Sequence, residues 1–349
     1  MDFNTVLQEL PSIAQIRTGA QDLQKNLGDA RVQVAEAREL LEVSHEVLKE
    51  SRDQLHSLTK LTEASNRLLE AQNAALLQQL EATNKSNAQM QSILSTLEGV
   101  RLAATAPLRA DMEASLGGKQ LSMLDTIHHI ADKGLSFARY GDGEIRLMTR
   151  EEYNLRFQKN APGLKSDLTR VLGMSSENLL IGMPHRFVNS MWGAVFAENW
   201  SSLKPHVDKA TVFGDSHVSR PIFFDFYQQA AVDAWRSVWN GRDALIVAGR
   251  GSRFELIDEL FGNLGQAEFV EGAPRNAYVE IDSIMQDIIS KLHGKDLVLI
   301  ALGPSGTIIA ARLAEMGIQA IDIGHIAASY RSVFSGDAFP ELQPVSQFD

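Results

Sequence analysis

Apolar residues return at every seventh position from Leu27: Leu27, Val34, Leu41, Leu48, Leu55, Thr62, Leu69, Leu76, Thr83, Met90 and Leu97. Only the two threonines interrupt the series, so the spacing predicts a long α-helix with one apolar stripe. Three residues after each of these stand Ala30, Ala37, Ser44, Ser51, Leu58, Ser65, Gln72, Gln79, Ser86, Ile93 and Val100, a companion row that is small or polar through its middle. A coiled coil with a weak centre is expected. From Gln21 to Leu102 such a helix is on the order of 120 Å long at about 1.5 Å per residue, and it cannot bury its stripe alone. The expected outcome is a homo-oligomer of two or three strands; the same helix could also act as a spacer or dock another protein. The run Ala103-Ala104-Thr105-Ala106-Pro107 ends the heptads, and Pro107 reads as a boundary. Residues 1–106 are therefore taken as the helical region, 107–120 as a linker and 121–349 as a second domain.

The pattern changes from Leu121 onward. A helical stretch, Leu121 to Lys133, precedes an apolar run from Leu135 to Tyr140. Further apolar runs read as buried strands: Leu179 to Met183, Ala210 to Phe213, Ala244 to Ala248, Ala267 to Val270, Leu297 to Leu302 and Ala320 to Ile323. Most are bounded by Gly, Pro, Asp or Ser and separated by helical patterns. That alternation predicts an α/β domain with a Rossmann-like, mostly parallel sheet covered by helices on both faces.

Composition narrows the classes. The 349 residues carry a formal net charge of −11 and no block of Lys and Arg, which argues against a nucleic-acid binder. Cysteine is absent, which excludes a disulfide framework, a thiolate metal site and a cysteine nucleophile. A cytoplasmic protein is expected, since no leader-like N-terminus and no run of ~18 apolar residues is present.

In a parallel α/β sheet, ligands bind beyond the carboxyl ends of the strands, so those residues are the candidates. After the first strand comes Arg139-Tyr140-Gly141-Asp142-Gly143-Glu144. Asp142 and Glu144, two residues apart, are candidate ligands for Mn²⁺ or Mg²⁺ over a diphosphate, although Asp-Gly is also an ordinary turn dipeptide. After the third strand, Gly214 to Pro221 brings Asp215 and His217 as candidates for proton transfer or for sugar hydroxyls, and Arg220 as a phosphate clamp. A hydrogen-bonded loop with a structural His217 is the alternative. After the fourth, Gly249, Gly251, Ser252 and Arg253 lead into a helix expected over Glu255 to Leu260, an arrangement suited to a diphosphate. Gly303, Ser305 and Thr307 open another helix, Ile308 to Met316, as a second anion turn. It lacks the lysine of a P-loop, so NTP hydrolysis is not suggested. The last strand ends at Asp322 and His325, candidates for a ligand-facing acid or base.

Taken in order, these segments resemble the bacterial GT-D fold glycosyltransferases. The resemblance spans roughly Leu121 to Phe339. It is carried by Phe137 to Glu144, which looks like the family's Asp-x-Glu metal motif, by Ala301 to Thr307 and by Gln319 to Ile326. Ser219-Arg220-Pro221, Ser252-Arg253-Phe254 and Pro274-Arg275-Asn276-Ala277 are further landmarks. The resemblance implies Mn²⁺- or Mg²⁺-assisted transfer of a sugar from a nucleotide-sugar donor, commonly UDP-glucose, to a glycan or glycoprotein acceptor of the cell surface. Asp142 and Glu144 would hold the metal, and Arg139, Gly141, Arg220 and Arg253 would contact the donor. Asp215, His217, Asp322 and His325 would supply any base that activates the acceptor.

The chain departs from the family in Ile326 to Arg331, where relatives tend to carry acidic and aromatic residues, and in its long N-terminal helix. Two other classes stay open from the residues themselves. One is a non-catalytic nucleotide- or phosphosugar-binding regulatory module with the coil as its interaction element. The other is an NAD-type oxidoreductase built on Gly249, Gly251 and Glu271, against which the bulky Phe254 already counts.

Overall fold

The computed structural model describes residues 12–185 and 190–343. The chain divides by its contacts into two units, Met1–Arg101 and Leu102–Asp349. In the first, helix α1 (Ile13–Leu116) begins, and every residue from 12 to 104 is exposed in the single chain, the leucines of the heptad row included.

Pro107 does not end this helix. A proline inside a helix removes one backbone donor, and the cost is met here by strong helix formers before it and by tertiary contacts after it. Ala103, Ala104 and Ala106 precede it. Beyond it Met112 and Leu116 are buried, and the Asp111 carboxylate accepts from Trp200 Nε1 at 2.7 Å and from Lys204 Nζ at 2.9 Å. The stretch read as a linker over 107–120 is thus helical through Leu116.

The second unit is built on strands β1 (Ser136–Arg139), β2 (Leu179–Met183), β3 (Gly214–Asp215), β4 (Ala244–Gly249), β5 (Ala267–Gly272), β6 (Leu297–Ala301) and β7 (Gln319–Asp322). They form one seven-stranded sheet in the order β3-β2-β1-β7-β6-β4-β5, and each of these strands pairs with its neighbours in parallel. Phe213, expected as a strand end, makes only an isolated bridge with Gln120, and the third strand is the next two residues. Alternation along each strand feeds two cores, as a sheet covered on both faces requires. Leu245, Val247, Val298 and Ile300 face one; Ala244, Ile246, Leu297 and Leu299 face the other.

Helix α2 (Met123–Lys133) starts at Ser122, whose hydroxyl accepts from the Asp125 N–H at 3.1 Å, and ends at Gly134 in the left-handed region. It packs on the second core through Ile127 and Ile130. Between β1 and β2 lie α3 (Asp142–Thr149) and α4 (Pro162–Leu172), and α5 (Ser190–Val207) follows β2. Further along the chain, α6 (Pro221–Tyr227) and α7 (Gln229–Val238) precede β4, α8 (Asp258–Phe261) and α9 (Ile281–Lys291) flank β5, α10 (Pro304–Glu315) joins β6 to β7, and α11 (Ile326–Phe334) follows β7.

Two glycines seat the strand that carries the central site loop. A Cβ on Gly182 would stand 2.3 Å from the Phe137 ring, and one on Gly214 would stand 3.0 Å from it. The fully buried Phe137 therefore occupies the room that two absent side chains leave on β2 and β3.

Candidate active site

β1 and β7 are neighbours whose following helices pack on opposite faces, α3 in the first core through Ile145 and α11 in the second through Ile326, and a cleft of about 290 Å³ opens at the carboxyl ends of β1, β7, β6, β4 and β5. Ten of the predicted residues line it: Arg139, Gly141, Asp142, Glu144, Arg220, Gly249, Ser252, Arg253, Gly303 and His325.

Gly141 and its neighbours do not make a free turn. They start α3, with Asp142 and Glu144 in its first turn, where carboxylates suit the unpaired N–H groups. Glu144 Oε2 accepts from the Gly141 N–H at 2.8 Å, and Asp142 Oδ2 pairs with Arg146 Nη1 at 3.2 Å. Each carboxylate keeps a second oxygen. Among the described residues no group of three or more His, Asp or Glu converges as a metal cage. Magnesium and manganese at phosphate sites need only one or two protein carboxylates with the remainder supplied by phosphate and water, so this pair fits such an ion.

Three arginines, Arg139, Arg220 and Arg253, line the same cleft. Arg139 is 8% exposed; its Nη2 lies 3.9 Å from Asp322 Oδ1, and its Nε has no partner among the described residues. Gly324, at φ +50°, makes room for that guanidinium, since a Cβ there would stand 2.1 Å from Arg139 Nη2. Arg220 Nη1 donates to Glu341 Oε1 at 2.7 Å and lies 3.4 Å from His325 Nδ1. Because a guanidinium only donates, Nδ1 is the acceptor and the imidazole proton sits on Nε2. Burial, together with Arg220, Arg139 and Arg253, holds His325 well below the usual histidine range. It is neutral, with its donor at Nε2, and a weaker base than an ordinary imidazole.

Asp322 is buried and outside the cleft lining. Burial pushes its carboxyl up to about 6, against the lowering effect of Arg139, with Glu144 adding to the rise. The Thr307 hydroxyl lies 2.9 Å from the Arg139 carbonyl and 3.2 Å from Asp322 Oδ2, and Gly324 N–H donates to Asp322 Oδ1 at 3.1 Å. A hydroxyl has one proton. When Thr307 gives it to the carbonyl, a protonated Asp322 completes the chain by donating to Thr307. Thr307 is therefore a brace for the β1 end rather than a ligand group. Ser305 is likewise fully buried, and neither it, Thr307 nor Gly251 lines the cleft.

Three other expectations change. The helix expected from Glu255 spans only Asp258–Phe261, so no helix start stands behind Ser252 and Arg253. Arg253 instead turns to the C-terminal segment, donating to the Pro340 carbonyl at 2.9 Å and to Gln343 Oε1 at 3.1 Å. Glu271, on the edge strand β5, lies 3.7 Å from Arg250 and does not line the cleft. Asp215 and His217 are buried beside the cleft-lining Arg220 without lining the cleft themselves. Asp215 Oδ1 accepts from the backbone N–H of His217 at 2.8 Å and lies 2.9 Å from its Nδ1, and His217 stacks edge-on against Trp192.

Arg156, Phe157 and Gln158, absent from the candidates above, close the cleft from the loop between α3 and α4. That loop is pinned to the segment after β5: Asn276 N–H donates to the Phe157 carbonyl, and Lys159 N–H donates to Asn276 Oδ1, each at 2.8 Å. Gly303, at φ +54°, permits the close approach of Phe157, whose ring would lie 2.7 Å from a Cβ there. An arginine and an aromatic in a loop are the only signal that the sequence offers for them.

A doubly wound, all-parallel sheet with a ligand cleft beyond the carboxyl ends of its strands at the switch point is an architecture of nucleotide-handling α/β enzymes. The chain belongs to the glycosyltransferase GT-D fold family, which matches residues 137–338. Glycosyltransferase GlyD of Streptococcus pneumoniae is 27% identical over 219 residues, covering 59% of this chain and 26% of that protein. The probable glycosyl transferase Gly of Streptococcus gordonii is 27% identical over 223 residues, 60% of this chain and 32% of that one. The matched region thus spans about a quarter to a third of these relatives. A solved structure described as a highly conserved domain of unknown function with a distinct glycosyltransferase fold aligns at a TM-score of 0.60 and 28% identity, over 66% of this chain and 86% of that one. A glycosyltransferase from Streptococcus sanguinis aligns at 0.56 and 25% identity, over 62% and 85%.

Proposed function

We propose that this chain transfers a sugar from a nucleotide-sugar donor, a UDP-sugar in the first instance, to a glycan or glycoprotein acceptor. The observation that carries the reading is that Asp142 and Glu144 line one cleft at the switch point together with Arg139, Arg220 and Arg253. Such a set of guanidinium groups suits a diphosphate. Asp142 and Glu144 would hold Mn²⁺ or Mg²⁺ through their second oxygens; when bound, the ion neutralises charge on the departing nucleotide. Arg139 and Arg220 stabilise the same charge, and the neutral His325 adds a donor at Nε2. Phe157 and Leu302 line the cleft with apolar surface that excludes water from the reacting centre.

The exposed leucine row of α1 supports assembly of two or three copies through this helix, since one helix alone leaves the stripe in water. Among the described residues no helix is long and apolar enough to cross a membrane.

The test is a thermal-shift screen of UDP-, GDP-, CMP- and dTDP-sugars with and without Mn²⁺, followed by sugar transfer with the nucleotide that binds. A metal-dependent shift and turnover are expected. Binding without turnover across a panel of acceptors would favour the regulatory module, and unchanged transfer by Asp142→Ala and Glu144→Ala would sink the metal assignment.

A further inference from the structure

Two arginines of the cleft, Arg220 and Arg253, are engaged by the chain's own C-terminal segment. Arg220 is largely buried next to Arg139, and two guanidinium groups brought together out of water require an anion. Asp322 stands 3.9 Å from Arg139, and the Arg139 Nε remains buried without a partner among the described residues. The close anion is Glu341, whose carboxylate reaches Arg220 Nη1 at 2.7 Å from the short turn Pro340–Leu342. The same turn gives Arg253 the Pro340 carbonyl, and Gln343 adds a side-chain acceptor. A carboxylate presents a guanidinium with much the same oxygens as a phosphate does.

The segment is lightly held apart from these contacts. Pro340 is buried, but Phe339 is 57% and Leu342 79% exposed, and the left-handed Gly336 separates the segment from α11. Few apolar contacts and exposed backbone mark the low-stability end of a fold.

We infer that Glu341 stands where a phosphoryl group of the ligand binds, and that Phe339–Gln343 is a strap which the bound phosphoanion displaces. This rests on the reading of the cleft as a diphosphate site. Without ligand Arg220 and Arg253 are then held by the strap, and the phosphoanion exchanges for the Glu341 carboxylate at Arg220 instead of meeting a bare cation. The cost of that exchange is set by the Arg220–Glu341 pair, which is half-exposed on the Glu341 side and so contributes modestly.

The experiment is calorimetric titration of inorganic pyrophosphate and, separately, UDP into the full chain, its Glu341→Gln variant and its Glu341→Ala/Gln343→Ala double variant at fixed low salt. Hydrogen exchange of the 337–343 region is followed alongside. Removing the competing carboxylate is expected to tighten pyrophosphate roughly two- to fivefold, the range that a partly exposed ion pair supports. Pyrophosphate is also expected to speed exchange at 339–343. Unchanged or weaker binding in both variants, or slower exchange on ligand addition, overturns the strap, the latter because it would mean the segment closes over the ligand. If pyrophosphate behaves as expected while no nucleotide binds, the strap stands and the nucleotide-sugar reading falls. Binding of neither ligand to any of the three proteins overturns both.

Discussion

Glu144 Oε2 accepts a hydrogen bond from the backbone N–H of Gly141 at 2.8 Å, so one carboxylate of the Asp-x-Glu pair also caps the helix that presents it. The cap and the proposed metal contact use different oxygens of one side chain. They can therefore be separated by mutation.

Glu144→Gln keeps an oxygen for the Gly141 N–H and loses the charge; its melting temperature should stay within about a degree or two of the parent while Mn²⁺-dependent transfer falls at least tenfold. Glu144→Ala should lose transfer and also about 1 kcal/mol of stability, the usual worth of a helix cap. Urea unfolding of the two variants beside a transfer assay distinguishes them, and equal stability losses would refute the division of labour.

Gly324→Ala forces a side chain to within 2.1 Å of Arg139 Nη2 at a left-handed φ. The guanidinium must move, and the backbone strain adds on the order of 1 kcal/mol. Donor affinity should weaken by tenfold or more with only a modest loss of fold stability. An unchanged Kd for UDP would show that Arg139 does not reach the ligand.

Asp322 carries a pH signature of definite sign. Its folded pKa is raised to about 6 from an ordinary 3.8, so the native state holds the proton more tightly than the unfolded chain does. Its contribution to stability therefore falls as pH rises from near 4 through 6, by roughly 3 kcal/mol in total, since a tenfold difference in proton affinity between the two states is worth about 1.4 kcal/mol. Asp322→Asn mimics the protonated form: its amide can donate to Thr307 and its oxygen can accept from Gly324. The variant should be the more stable protein above pH 6, with the difference vanishing below pH 4. Chemical denaturation at a series of pH values measures it, and parallel curves for the two proteins would contradict the assignment.

The assembly proposed for α1 is tested by Leu48→Asp together with Leu55→Asp. Both positions lie in the exposed heptad row, so the substitutions should shift light-scattering mass toward the single chain. The circular dichroism of the parallel-sheet unit and its ligand-induced thermal shift should persist. An unaltered mass would remove this face from the interface.

Much of this molecule is readable from periodicity. The strands from Leu179, Ala244 and Leu297 are buried on both faces and so appear as unbroken apolar runs, which is why their expected positions lie within a residue or so of the observed bounds. The end of α1 is not readable in this way, because Pro107 is a local signal and the contacts that overrule it, Asp111 with Trp200 and Lys204, are some ninety residues away in sequence. The same limit applies in the cleft. Arg139, Asp142 and His325 sit at strand ends, where ligand-facing residues are expected, and all three line it. Phe157 and Glu341 reach the same cleft from a loop and a C-terminal turn, and no spacing rule connects them to it. Ser305 and Thr307 have the composition of an anion turn, yet their side chains are spent inward, on packing and on the Arg139 carbonyl.

The seat of Phe137 over Gly182 and Gly214 has a consequence for how this sequence can drift. The three positions share one volume: a methyl group gained on β2 must be matched by atoms lost from the ring on β1, one gained on β3 needs room from Thr126 and Leu180 as well as from the ring, and a smaller residue at 137 opens a void that glycines cannot fill. Variation at any one of them alone should be purged, whereas compensated pairs should survive. In a deep collection of relatives the three columns would change together, and that joint change would trace the strand that carries Arg139 into the cleft.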